Sequence, residues 1–238
     1  MVWFMEGMCF LPTFLVIWSS STFIVSYIIA LFRRDVDVIL PYISDTGATP
    51  PESCVFGFMS TITAFAAFAT MYAEYKFVER VHERTGAIPP RLNKVSLGFG
   101  IVSCVGMCLV ATFQETTVMV VHDIGAILFF ATGVTYAVIQ SVISYRGQPY
   151  GCSKRTCHFR VFFAGLAIVA VLPTIFCAVP VGTSKLHWDT EDKDYTLHMV
   201  SVVCEWITTF SFVLFFLTYI REFQEFKLKL TVNFIECS

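Results

Sequence analysis

The sequence predicts an all-α fold, a polytopic membrane protein built as a bundle of six transmembrane helices, and two observations carry that prediction. The first is composition: 56% of the 238 residues are hydrophobic and 14% are charged, with a mean hydropathy of +0.69. A soluble domain of this size needs a more charged surface. The second is the spacing of the charges. They leave uncharged stretches from Gly7 to Phe32, Ser53 to Ala73, Val95 to Gln114, Ile124 to Tyr145 and Val161 to Ser184. Each reaches the roughly 20 residues that a helix needs to cross a ~30 Å hydrocarbon core.

In order, the spans are expected at about 8–32, 53–75, 94–114, 120–145, 159–181 and 197–220 of a single domain, 1–238, with a loop at 33–52 and a tail at 221–238. The first has Glu6 before it and no small-residue cleavage site, so it reads as a retained helix rather than a signal peptide. Its Ser19–Ser20–Ser21–Thr22 run offers hydrogen bonds to other helices. Gly57 and Thr61 in the second span, and Gly98, Gly100 and Gly106 in the third, allow close helix approach. Arg80 to Arg91, with Thr85, Gly86, Pro89 and Pro90, reads as a turn. Pro173 lacks a backbone donor and is expected to kink the fifth span, with Pro180 near its end. The sixth run, Trp206 to Ile220, holds only 15 residues. Residues upstream must therefore enter the membrane with it.

Between the first two spans lies LPYISDTGATPPE, Leu40 to Glu52. Ser44, Asp45, Thr46 and Gly47 favour turns through side-chain-to-backbone bonding and positive φ. Thr49 as a helix N-cap, Pro50 at the first helical position and Glu52 three residues after Thr49 would form a capping box. A short, ordered extramembrane loop is expected.

Lys and Arg set the orientation. The loops after spans two and four and the tail carry Lys76, Arg80, Arg84, Arg91, Lys94, Arg146, Lys154, Arg155, Arg160, Arg221, Lys227 and Lys229; the other side has Arg33, Arg34, Lys185 and Lys193. The excess places both termini in the cytosol and the opening loop, with the acidic Trp188–Asp194 segment, in the lumen or outside. Neither Asn93 nor Asn233 begins a glycosylation sequon. A net charge of -2 says little about partners, and there is no basic stripe of the kind a nucleic-acid binder needs, so no nucleic-acid partner is expected.

The candidate functional cluster is His122, Asp123, His198 and Glu205. Glu205 should lie about five residues, some 8 Å, inside the boundary, where a carboxylate must be protonated or paired. His198 shares its helical face but sits roughly 10 Å away along the axis, so it is no direct partner. His122, Asp123 and Glu115 are expected at the interface. Their spacings match no zinc motif, and Asp45–Thr46–Gly47 is one isolated D-T-G without the strands of an aspartic protease. No metal, cofactor or catalytic residue is expected. The remaining uses are a proton- or lipid-responsive pocket or a structural role. Cys152, Cys157 and His158 lack a second ligand pair, so free or palmitoylated thiols are expected. Tyr75–Val78 matches a sorting signal only loosely. Cys54, Cys177 and Cys204 lie towards one end of their spans, within reach of a bridge.

PYISDTG, PPES, FGFM, FQE, VHD, SYR, LHW with KDY, CEW, FLTYI and REFQ occur in this order from Pro41 to Gln224. The set resembles the damage-regulated autophagy modulators, the DRAM family, within a wider group of FRAG-type and SFK-type six-span proteins. The chain stops soon after span six, similar to the short founding member rather than its longer-tailed paralogue. The resemblance implies a lysosomal multi-pass protein that promotes autophagy, couples stress signalling to apoptosis and is not an enzyme. It marks Pro41, Tyr42, Ser44, Asp45, Gly47 and Glu52 as the signature of the opening loop. Membrane lipids are the expected partners, with protein partners at the cytosolic loops and tail. The alternative is a lumenal-leaflet lipid-modifying enzyme or transporter using His122, Asp123 and Glu205. The lack of GxSxG, HExxH or a phosphate loop favours the first.

Overall fold

The computed structural model describes residues 7–181 and 185–228, apart from the side chains of 179–181. Expectations resting on Glu6, the Pro180 side chain, Lys229 and Asn233 lie outside them. The elements are α1 (Phe10–Arg33), α2 (Glu52–Thr85), α3 (Pro90–Thr112), α4 (Glu115–Arg146), α5 (Lys154–Val181), α6 (Tyr195–Leu217) and α7 (Ile220–Gln224), with one 3-10 turn at Asp45–Gly47 and no strand among the described residues. Among the described residues six helices are long and apolar enough to cross a membrane, the sixth running from Tyr195 to Gln224. Each packs on its neighbours in sequence, and α6 returns to α1, so the bundle closes in chain order.

The packing is inside-out relative to a soluble protein. Phe32, Phe58, Phe65, Val169 and Phe176 face outwards, while Thr22, Ser26, Thr70, Ser96 and Thr208 are buried. Hydrocarbon outside accepts the aromatic and branched side chains, and hydroxyls satisfied within the bundle cost little. Most satisfy themselves locally: Thr22 donates to the Trp18 carbonyl at 2.9 Å and Ser21 to Ile17 at 2.8 Å. The Ser19–Thr22 run therefore does not bond across helices, because a carbonyl one turn back is already in reach.

Several helices extend beyond the expected spans, α3 and α5 by a turn or so at their starts, and three ends bear on the packing. α2 continues past the second apolar run to Thr85, supported by the pairs Lys76–Glu79 at 2.9 Å and Arg80–Glu83 at 2.6 Å. Val78 and Val81 also bury against Ile88 and Ile143. The Arg80–Arg91 turn shrinks accordingly to 86–89, where Gly86 takes φ +67°. α4 begins at Glu115, ahead of the expected 120, and bends at Val118 (φ -136°, ψ 60°). The chain from 220 is a short helix folded under the bundle, with Phe223 buried and its carbonyl bonded to the Met8 N–H at 2.6 Å. The capping box does not form as drawn, because the Thr49 hydroxyl bonds the Glu52 carboxylate directly. α5 runs on through Pro173.

Glycine sets the α3–α4 contact. A Cβ on Gly106 would lie 2.4 Å from the Phe129 nitrogen, whereas one on Gly98 would meet nothing within 4 Å. Gly106→Val is therefore expected to cost at least the 1–3 kcal/mol or so of an overpacked core, seen as a lower melting temperature in detergent, and Gly98→Val is expected to leave it unchanged. Equal melting temperatures for Gly106→Val and the parent would refute this contact.

Candidate functional site

The loop between α1 and α2 is held on three sides. From α6, the Trp206 Nε1–H donates to the Pro41 carbonyl at 2.9 Å, and the Glu205 carboxylate accepts the Ile43 N–H at 2.9 Å. From α4, Glu115 accepts the Ser44 hydroxyl at 3.2 Å and Thr116 donates to the Ala48 carbonyl at 3.0 Å. From α1, Ser26 meets Thr46 at 2.9 Å. Asp45, Thr46, Gly47 and Ala48 are buried as a result. The expected loop is thus ordered and packed between helix ends. Gly47 is required there, since a Cβ would sit 2.4 Å from the Phe56 ring.

These contacts place the predicted residues in different surroundings. Glu205 is buried, paired with a backbone donor rather than with a side chain of opposite charge. Its neighbour across the site is Glu115, whose Oε2 is 4.0 Å from the His122 Nε2. His122 is buried, and its Nδ1 lies 2.8 Å from the Phe113 carbonyl. A carbonyl only accepts, so Nδ1 carries the proton and the other nitrogen faces Glu115. His122 is thus not solvated, because α4 starts early enough to carry it inside. Asp123 is exposed on the outer side of the same turn. The Asp45 carboxyl faces those of Glu115 and Glu205, and burial, then those two charges, push it well above the usual carboxylate range.

His198 is brought near the loop but not to Glu205. Its ring stacks on Trp188 with centroids 4.2 Å apart and meets Tyr42 edge-on at 5.0 Å. Trp188 is fixed in turn by Asp37, which accepts its N–H at 2.8 Å and the His187 Nδ1–H at 2.9 Å. Burial raises the Asp37 carboxyl, but these two donors outweigh it and hold Asp37 below its usual value. The acidic segment from Trp188 therefore lies over the loop.

A cavity of about 330 Å³ runs beneath, with Tyr42, Ser44, Glu115, His122, Asp123 and Glu205 around its polar part and apolar side chains along the rest. Among the described residues no Lys or Arg lines it. Among the described residues no three of His, Cys, Asp and Glu come close enough to share a metal ion. His122 and His187 each bond through Nδ1, to a carbonyl and a carboxylate respectively.

Sequence reasoning missed a second buried cluster at the opposite end. Arg160 pairs with Glu222 and donates to Ser144 at 2.6 Å and Thr218 at 3.0 Å, while its guanidinium stacks 4.2 Å over Tyr219. Glu74 is buried beside this pair. Arg160 thus leaves the loop charges that set the orientation, which stay strongly one-sided. Nearby, the Cys152 and Cys157 sulfurs lie 3.1 Å apart as free thiols, and Cys54, Cys177 and Cys204 are also free.

Fold and site together define a six-helix membrane protein whose first interhelical loop is seated on buried acids. The chain belongs to the Frag1/DRAM/Sfk1/Cwh43P N-terminal domain family, whose model matches residues 7–226. It is 48% identical over 233 residues, 98% of both chains, to DNA damage-regulated autophagy modulator protein 1 of Mus musculus. To DNA damage-regulated autophagy modulator protein 2 of Mus musculus it is 44% identical over 98% of this chain and 90% of the relative. Modulator of macroautophagy TMEM150B of Danio rerio is 26% identical over 94% and 89%. No solved structure matches the chain.

Proposed function

We propose that this chain promotes autophagy as a non-enzymatic multi-pass protein of the lysosomal membrane, with both termini cytosolic, acting through lipid or protein partners and coupling stress signals to apoptosis. Relatives named as autophagy modulators across nearly the full chain support the biological setting. The observation that carries the mode of action is the bond from the Ile43 N–H to the Glu205 carboxylate. It ties an interhelical loop to a membrane-buried acid beside a cavity, so occupancy or protonation there changes how the loop is held. Such a device needs no nucleophile. The basic end of the bundle, with Arg84, Arg91, Lys94 and Arg155, would then face cytosolic partners.

Autophagic flux in cells lacking the endogenous protein tests this reading, with wild type or Glu205→Gln restored at matched lysosomal levels. The wild type should raise flux and the variant should lose most of that rise, although its side-chain amide keeps an acceptor for the Ile43 N–H. Equal flux from both would make Glu205 structural. No rise from the wild type would overturn the proposed function.

A further inference from the structure

We infer that the cavity between α2, α4 and α6 binds a lipophilic amine, a single apolar chain or ring body with a protonated amino head. This inference rests on the non-enzymatic, ligand-responsive reading above and names its ligand class. The polar end of the cavity carries Glu115, Asp123 and Glu205 with one imidazole, His122, and no Lys or Arg. Glu205 is buried and the Glu115 side chain is 17% exposed, while Asp123 stands at the exposed rim; the two inner carboxylates need protons or a cationic ligand to balance them. A bare metal ion fits poorly, since no three acidic, thiol or imidazole groups converge among the described residues. An organic ammonium does not require such convergence, because its charge is spread over three donors on one head.

The rest of the wall takes a hydrocarbon body. Phe23, Phe56, Met107 and Phe130 line it, and the volume of about 330 Å³ suits one small body rather than a two-chain lipid. A second, independent feature points to a ligand with a hydrogen-bonding group. Ser60 lines the cavity, is 2% exposed, and its hydroxyl has no hydrogen-bond partner. On the same helix Thr61, Thr63 and Thr70 all return their hydroxyls to the carbonyl four residues back. An unmade bond at a buried hydroxyl is unfavourable, and a hydroxyl or amine of the ligand would supply the missing partner. Asp123 and Ile127 line the rim and are both exposed on the outer face of α4. The ligand therefore enters sideways, from the membrane, head towards the acids.

The test is direct binding to full-length protein purified in lipid nanodiscs. Tritiated sphingosine serves as the probe, with stearic acid and octadecanol as competitors of matched length. Unlabelled sphingosine should compete on the order of tenfold better than either competitor, because both lack the cation that the acids select. Glu115→Gln with Glu205→Gln, which preserves size, should weaken sphingosine by at least that factor, and Met107→Trp, which fills the cavity, should abolish binding. Size-exclusion profiles and melting temperatures without ligand identify any variant that has not folded, and the Gln pair carries the test if the Trp variant fails. Equal competition by stearic acid, or full affinity in a folded Gln pair, overturns the inference. If sphingosine does not bind while Glu205→Gln still loses flux, the ligand class falls and the proposed function stands.

Discussion

Arg160→Ala is expected to destabilise the protein by about 3–5 kcal/mol, the range for removing one partner of a buried pair. The side chain is fully buried, and its donors reach Glu222 from α7, Ser144 from α4 and Thr218 from the α6–α7 link. Its charge also faces Glu74 on α2, one of whose carboxylate oxygens, Oε2, has no hydrogen-bond partner. Without the guanidinium, two acids remain enclosed with no cation, and the segment that folds Phe223 under the bundle loses its anchor. Arg160→Lys keeps the charge but not the fork, so it should recover only part of the loss. Arg160→Met with Glu222→Leu should recover more, since an apolar pair of similar volume leaves only Glu74 to be accommodated. Melting temperatures in detergent decide the matter. If Arg160→Ala melts with the parent, the cluster does not hold the helices together.

The helices were legible because the membrane demands long uncharged runs, and Gly106, where backbones nearly touch, was legible as a small residue. The ends were not. α2 overruns its apolar stretch because Lys76–Glu79 and Arg80–Glu83 continue the helix on a polar face, which hydropathy reads as loop. Arg160 and Glu222 looked like interfacial and tail charges because Arg160 stands just before an apolar run, five residues after Arg155, and Glu222 follows Arg221; only the fold removes them from water. At the site, Glu205 was legible from the shortness of its apolar run. Its partner was not, because that partner is the backbone of Ile43, and a backbone donor leaves no mark on the amino-acid sequence. Trp206 was missed likewise, since its bond goes to the Pro41 carbonyl. The signature stretches give a hint in retrospect: CEW and PYI interlock, and FQE touches both SDTG and VHD. A chain whose short motifs lie far apart has reason to bring them to one place.

The seated loop should be most stable in acid. Asp45 in a released loop would be hydrated and titrate near 3.9 or so, whereas in the bundle burial and the facing Glu115 and Glu205 raise it well above that. Between those two values the seated state holds one more proton than the released state, so raising the pH favours release. The contribution is complete below about pH 4 and is lost as pH rises towards the seated value, by up to about 1.4 kcal/mol, or tenfold, per pH unit. The amides to follow are Gly47 and Ala48, which donate to the Ser44 and Asp45 carbonyls at 2.9 and 3.1 Å. Their exchange protection, corrected for intrinsic rate, should fall as pH rises from 5 to 7. Asp45→Asn should flatten that dependence while matching the wild type at the acid end, since a neutral amide accepts as the protonated acid does. Glu115 and Glu205 face the same group, with His122 behind Glu115, so a slope that persists in Asp45→Asn assigns the effect to them and not to Asp45. A loop that seats in acid and loosens towards neutrality is the behaviour expected of a protein that works against an acidic lumen, and a flat wild-type profile would remove that argument for the proposed location.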